Sequence, residues 1–174
     1  STLPEPTSTM EIVSIVLVPY ADAANGFNVL EPQEWISTLM DDGIHLRAPT
    51  NVASPLVLTK LMKSVDEDPY EYMITFIQDQ EILFQQPRNL TSFDVSLHGK
   101  SLPGISFIDE TDSGTSTVDL TMVEEEGRTF ILVARAAVAQ GAAYDALFST
   151  IRDSFVVVPL STQTPTAMQL PTAT

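Results

Sequence analysis

The most chemically suggestive stretch is Asp109-Glu110-Thr111-Asp112-Ser113-Gly114, three carboxylates and two hydroxyls leading to a glycine. Oxygen donors in a turn suit a hard cation, so Asp109, Glu110 and Asp112 are the candidate ligands for calcium. The stretch lacks the alternating order of an EF-hand loop, whose twelfth position would fall on Leu120 instead of a glutamate. Asp41-Asp42-Gly43 and Asp66-Glu67-Asp68 are shorter acidic runs that read equally well as a tight turn and a helix cap. The two histidines, His45 and His98, fall in expected strands with no ligand-like spacing between them. No Gly-x-Ser-x-Gly elbow presents a serine nucleophile. No glycine-rich loop is set up to cradle phosphate, because the seven glycines are scattered singly. Trp35, the single tryptophan, follows a proline turn. It is either a ligand platform or a packing residue at a sheet edge. Asn89-Leu90-Thr91 matches the N-glycosylation acceptor, a pattern short enough to arise by chance.

Composition narrows the classes further. The chain has 174 residues and no cysteine, which removes disulfides, thiolate metal sites and a cysteine nucleophile. Eight Lys+Arg against 23 Asp+Glu gives a net charge of −15. Nucleic acid and anionic membrane surfaces are poor partners for such a chain, which favours a basic one. The basic residues form no cluster, and no apolar run is long enough to span a bilayer, so no membrane insertion by this chain is expected. Residues 1–9 and 161–174 are rich in Thr, Pro and Ser and read as linkers around a single domain over 10–160. Such linkers suit an extracytoplasmic protein, with any lipid anchor lying outside this sequence.

The elements that must position these residues follow from hydrophobic period. Met10 to Pro19 reads as an apolar arm or first strand, and Ala21 to Gly26 as a turn. Gly26 to Leu30, Gly43 to Ala48 and Leu56 to Met62 read as strands. Asp68-Pro69-Tyr70-Glu71 supplies a helix start: an Asp cap, Pro in the first turn and an acid behind it. The apolar stripe Tyr70, Met73, Ile74, Ile77 and Phe84 predicts a helix to about Phe84. Period-two alternation then predicts four antiparallel strands, around residues 93–97, 105–109, 117–122 and 130–135. Their turns are expected at Lys100 to Pro103, Thr111 to Gly114 and Glu124 to Gly127. Tyr144, Leu147, Phe148, Ile151 and Phe155 form the stripe of a closing helix, with a short strand at Val156 to Val158. The fold class is α+β, a mostly antiparallel sheet with helices packed on it.

Three segments resemble the PsbP-like fold family. They are Gly26-Phe27 leading to Pro32-Gln33-Glu34-Trp35, the hairpin and strand Gly127-Arg128-Thr129-Phe130, and the ending Ile151-Arg152-Asp153-Ser154-Phe155. The resemblance implies an α/β/α sandwich and a non-catalytic accessory or binding module, often exported. It carries over no catalytic residue. The expected function is docking of a protein partner, on a surface or in a groove between sheet edge and helix. The alternatives are a calcium-binding module and a small-molecule or glycan-binding accessory domain using Trp35.

Overall fold

The computed structural model describes residues 15–39, 45–48, 56–61, 63 and 66–160. Residues 1–14, Asp41-Asp42-Gly43 and 161–174 lie outside them, so the expected linkers, most of the apolar arm and one acidic turn are not described.

The chain opens with β1 (Leu17–Asp22) and β2 (Phe27–Pro32), an antiparallel pair, followed by the hairpin β3 (Ile36–Leu39) and β4 (His45–Ala48). Next come β5 (Leu56–Leu61) and α1 (Pro69–Asp79). The meander β6 (Pro87–Leu97), β7 (Lys100–Thr111), β8 (Gly114–Glu125) and β9 (Arg128–Ala137) follows, and α2 (Gly141–Ser154) and β10 (Val156–Val157) close the chain. The main sheet has the order β5-β9-β8-β7-β6, every pair antiparallel, and a smaller sheet has the order β1-β2-β10. Among the described residues, no helix is long and apolar enough to cross a membrane.

Strand period sorts the main sheet into two faces. Val118, Leu120, Met122, Ile131 and Val133 point to one side with Ile105 and Phe107, and α1 covers them with Met73, Phe76 and Ile77. Val123, Phe130, Leu97 and Leu102 point to the other side, under Ile151 and Phe155 of the closing helix segment and Phe27 and Val29 of β2. The layers are therefore helix, sheet, and a second helix that shares its side with the small sheet.

The three segments that carry the family resemblance meet at one place. Phe27, Phe130 and Phe155 form a triangle of rings with centroids 5.4 to 6.0 Å apart. Gly26 has φ of +77°, and a Cβ there would fall 1.8 Å from Arg128 Nη1, so only glycine fits. Arg128 uses that space to donate to the carbonyls of Asn25, Gly26 and Val158. Ser154 Oγ accepts from the backbone N–H of Leu30 at 2.8 Å and ties the end of α2 to β2. The motifs are packing devices that join the small sheet, the last hairpin and the last helix.

Several boundaries differ from expectation. β1 runs through Pro19 to Asp22, so its first turn starts later; among the described residues β1 pairs only with β2, and an edge strand tolerates proline. The first meander turn is His98-Gly99, not Lys100 to Pro103, and His98 is a turn residue. His98 and Gly99 have φ of +50° and +77°, and Glu126 and Gly127 have +53° and +71°. Both pairs carry the positive-φ signature of a type I′ hairpin. Pro103 lies within β7 opposite Asp94, where pairing with β8 has not yet begun, so no ladder bond is lost. α1 stops at Asp79 rather than Phe84. Phe84 returns to the same core from the following turn, its ring 5.2 Å from that of Phe107.

Candidate functional site

The strongest sequence candidate, Asp109-Glu110-Asp112, is not brought together. Successive strand residues face opposite sides, and Asp109 points beneath the α1 layer, where it is fully buried. Its Oδ2 lies 2.6 Å from Arg135 Nη2, and its Oδ1 accepts from the Gln86 backbone N–H at 2.8 Å. Arg135 Nη1 donates to the Leu83 carbonyl at 2.7 Å. Asp109 and Arg135 thus clasp β7 and β9 to the turn that follows α1. Glu110 turns the other way and pairs with Arg88 at 3.1 Å. Asp112 is exposed in a turn held by Thr111 Oγ1, which bonds the Ser113 hydroxyl and the Gly114 carbonyl. Among the described residues, no three His, Asp or Glu side chains converge in a metal-like group.

The other candidates have local roles. Asp68 caps α1, its Oδ1 accepting from the N–H groups of Tyr70 and Glu71 at 2.9 and 3.1 Å. His98 Nε2 lies 3.1 Å from the Phe155 carbonyl oxygen, which places the proton on that nitrogen. It also borders a pocket of about 340 Å³ with Lys100, Leu102 and Val157. His45 begins β4, opposite Leu39 in register. Trp35 is half-buried against the Phe27–Phe130–Phe155 core, its backbone N–H bonded to the Pro32 carbonyl at 3.1 Å.

A groove whose residues sequence reasoning did not mark lies between α2 and the inner strands of the sheet, away from the sheet edge where a groove was expected. Its volume is about 360 Å³. Val29, Leu132, Phe148 and Ile151 form its apolar lining, and Asp119, Thr121, Asp145, Ser149 and Arg152 supply the polar groups. That size and mixture match ligand-receiving clefts in general. Two elements set its geometry. Gly141, at the start of α2, packs on Thr117, where a Cβ would lie 3.4 Å from Thr117 Oγ1. Phe155, just past the end of α2, packs on Phe130, the register partner of Val123. So α2 packs on β2 and β9, with its start beside Thr117 and the residue after its end on Phe130.

Along α2, Asp145 lies near the start, Ser149 near the middle and Arg152 near the end, while Asp119 and Thr121 of β8 line the same groove. The helical rise of ~1.5 Å per residue separates Asp145 from Arg152 by about 10 Å along the axis. Asp119 and Asp145 are exposed, and neither has a cation partner among the described residues. Arg152 is half-buried, and its one ionic neighbour among the described residues is Asp153, 3.5 Å from Nε. The sequence signal for this wall was the second stripe of α2, Asp145, Phe148, Ser149 and Arg152 at helical spacing.

With this arrangement in view, comparisons identify the fold. No protein-family model matches the sequence, nor does any curated protein. Solved structures do match. Cyanobacterial PsbP (CyanoP) from Synechocystis sp. PCC 6803 is similar at 16% identity over 84% of this chain and 95% of its own, with a TM-score of 0.60. The Ran-binding protein Mog1p of Saccharomyces cerevisiae is similar at 10% identity over 85% of this chain and 98% of its own, with a TM-score of 0.56. PA94 of Pseudomonas aeruginosa, a putative regulator by its description, is similar at 14% identity over 82% and 98%, with a TM-score of 0.52. The chain has the PsbP-like fold, an α+β sandwich, as the resemblance implied. At these identities the likeness defines architecture alone.

Proposed function

We propose that this chain is a non-catalytic binding domain that docks a protein partner in the groove between α2 and the sheet. The observation that carries the reading is the groove itself: an apolar floor of Leu132, Phe148 and Ile151 beside carboxylates that no cation neutralises among the described residues. The net charge of −15 steers basic partners toward the surface. That one protein of this fold, Mog1p, is described as Ran-binding is in keeping with the reading. The Thr/Pro-rich ends support a location outside the cytoplasm.

The test is selection from a displayed random-peptide library against the full chain, with Ser149→Trp as the blocked-groove control. The expected result is a set of peptides enriched in basic and apolar residues that bind the wild type and lose binding to Ser149→Trp. Peptides that bind both proteins equally would refute docking in this groove.

A further inference from the structure

We propose that Asn25 is a covalent modification site closed by the fold: its side chain deamidates through Gly26 only when the turn between β1 and β2 opens. Asn25-Gly26 is the one Asn-Gly pair in the sequence. Glycine has no Cβ to keep its nitrogen from approaching the preceding side chain. The reaction requires water alone. Gly26 N attacks Asn25 Cγ, the N–Cγ bond forms and the Cγ–Nδ2 bond breaks. The proton of Gly26 passes to the departing nitrogen, which leaves as ammonia. Water then opens the succinimide ring at either carbonyl, giving aspartate or isoaspartate at position 25.

In the folded chain both reacting nitrogens are held. Gly26 N–H donates to the Asp22 backbone carbonyl at 2.7 Å. A carbonyl oxygen is no base, so this bond fixes the nitrogen without deprotonating it. Asn25 Nδ2 donates to Asp22 Oδ2 at 2.9 Å, and the Asn25 backbone N–H donates to Asp22 Oδ1 at 2.9 Å. Asp22 is itself buried, so the clasp is anchored in the β1–β2 pair. Arg128 Nη1 reaches over from β9 to the carbonyls of Asn25 at 3.3 Å and Gly26 at 3.2 Å. A cation on the Asn25 carbonyl makes the Gly26 N–H more acidic, but the same contact pins the turn. Attack must first break the Gly26 bond and the Nδ2 bond. A net backbone bond is worth roughly fivefold in such an opening equilibrium and a bond to a carboxylate roughly tenfold or more, so the closed turn slows the reaction by about 100-fold. The product cannot restore the clasp. Aspartate has no Nδ2 donor and sets a second carboxylate against Asp22, and isoaspartate adds a backbone carbon beside Gly26.

The test incubates the full chain at mildly alkaline pH across a urea series and quantifies aspartate plus isoaspartate at position 25 by peptide mapping. The closed turn predicts a rate in water about 100-fold below that of the urea-unfolded chain. Local opening predicts that the rate levels off at low urea, well above what the globally unfolded fraction would give. Asp22→Ala, while folded by circular dichroism, should raise the rate in water at least about tenfold. Asn25→Asp, which mimics the product, should lower Tm by about 3–12 °C. Equal rates in the folded and unfolded chains overturn the closed site. A rate that follows the globally unfolded fraction down to zero urea overturns gating by this turn, and the wild-type series alone decides this if Asp22→Ala fails to fold. A folded Asp22→Ala chain that deamidates at the wild-type rate overturns the clasp.

Discussion

Removing the guanidinium of Arg135 should destabilise the fold far more than removing the charge of Asp109. Asp109 is fully buried and has two partners, Arg135 Nη2 at 2.6 Å and the Gln86 N–H at 2.8 Å. In Arg135→Met the carboxylate keeps only the backbone donor, and the Leu83 carbonyl loses its partner as well. A buried charge left without its counter-ion costs about 3–5 kcal/mol. In Asp109→Asn the amide oxygen still accepts from Gln86. Arg135, whose side chain is 19% exposed, retains access to water and its bond to Leu83. That loss is of the size of an ordinary charged hydrogen bond, about 1.5–3 kcal/mol. A domain of this size shifts its midpoint by ~2–4 °C per kcal/mol, so Arg135→Met should lower Tm by about 6–20 °C. The double replacement Asp109→Leu/Arg135→Met should recover much of that loss, because no charge remains buried. Urea titrations of the four proteins measure these differences. Equal costs for the two single variants, or a cost below about 1 kcal/mol for Arg135→Met, would refute the clasp.

Other consequences follow from neighbouring residues. A Cβ on Gly104 would fall 2.3 Å from the Phe93 ring, so Gly104→Ala should cost about 1–3 kcal/mol, and less in a Phe93→Ala background, as urea melts would show. Calcium at millimolar concentration should leave Tm unchanged, because Asp109 is held by Arg135, Glu110 pairs with Arg88 and Asp112 stands apart from both. A rise that chelator reverses would contradict this. The Tyr70 phenol donates to Asp94 Oδ1 at 2.5 Å. That bond, desolvation and the charges of Asp94 and Asp68 raise its pKa above the ordinary 10.0. Its contribution to stability is present below the unfolded-state value and is lost as pH rises through the folded-state value. Tyr70→Phe should therefore flatten the alkaline decline in stability; an unchanged slope would contradict it.

The legible parts of this fold were those governed by local chemistry. Asp68, Pro69 and Glu71 announce the start of α1, and alternation from Phe93 onward announces the meander, because capping and strand period act over a few residues. The end of α1 was not legible, since Phe84 reaches the same core from a turn as it would from another helical turn. Nor was the hairpin at His98-Gly99, where proline at position 103 suggests a break that the missing β8 partner makes harmless. The acidic stretch at Asp109 read as a cation site because the sequence does not show that Arg135 sits across two strands from it. The residues that line the groove were not legible for the same reason. Asp119 and Asp145 come to line one space only through the packing of α2 on the sheet, a long-range fact that no local pattern encodes.

The most direct test of partner docking is to map where a selected peptide touches the protein. Backbone amide shifts of isotopically labelled full chain, recorded with and without the tightest library peptide, report this residue by residue. Docking in the groove predicts perturbations confined to residues 119–121, 132–134 and 145–152, all lost with Ser149→Trp. Perturbations centred on α1 or on the His98–Lys100 pocket, with residues 145–152 unchanged, would contradict it.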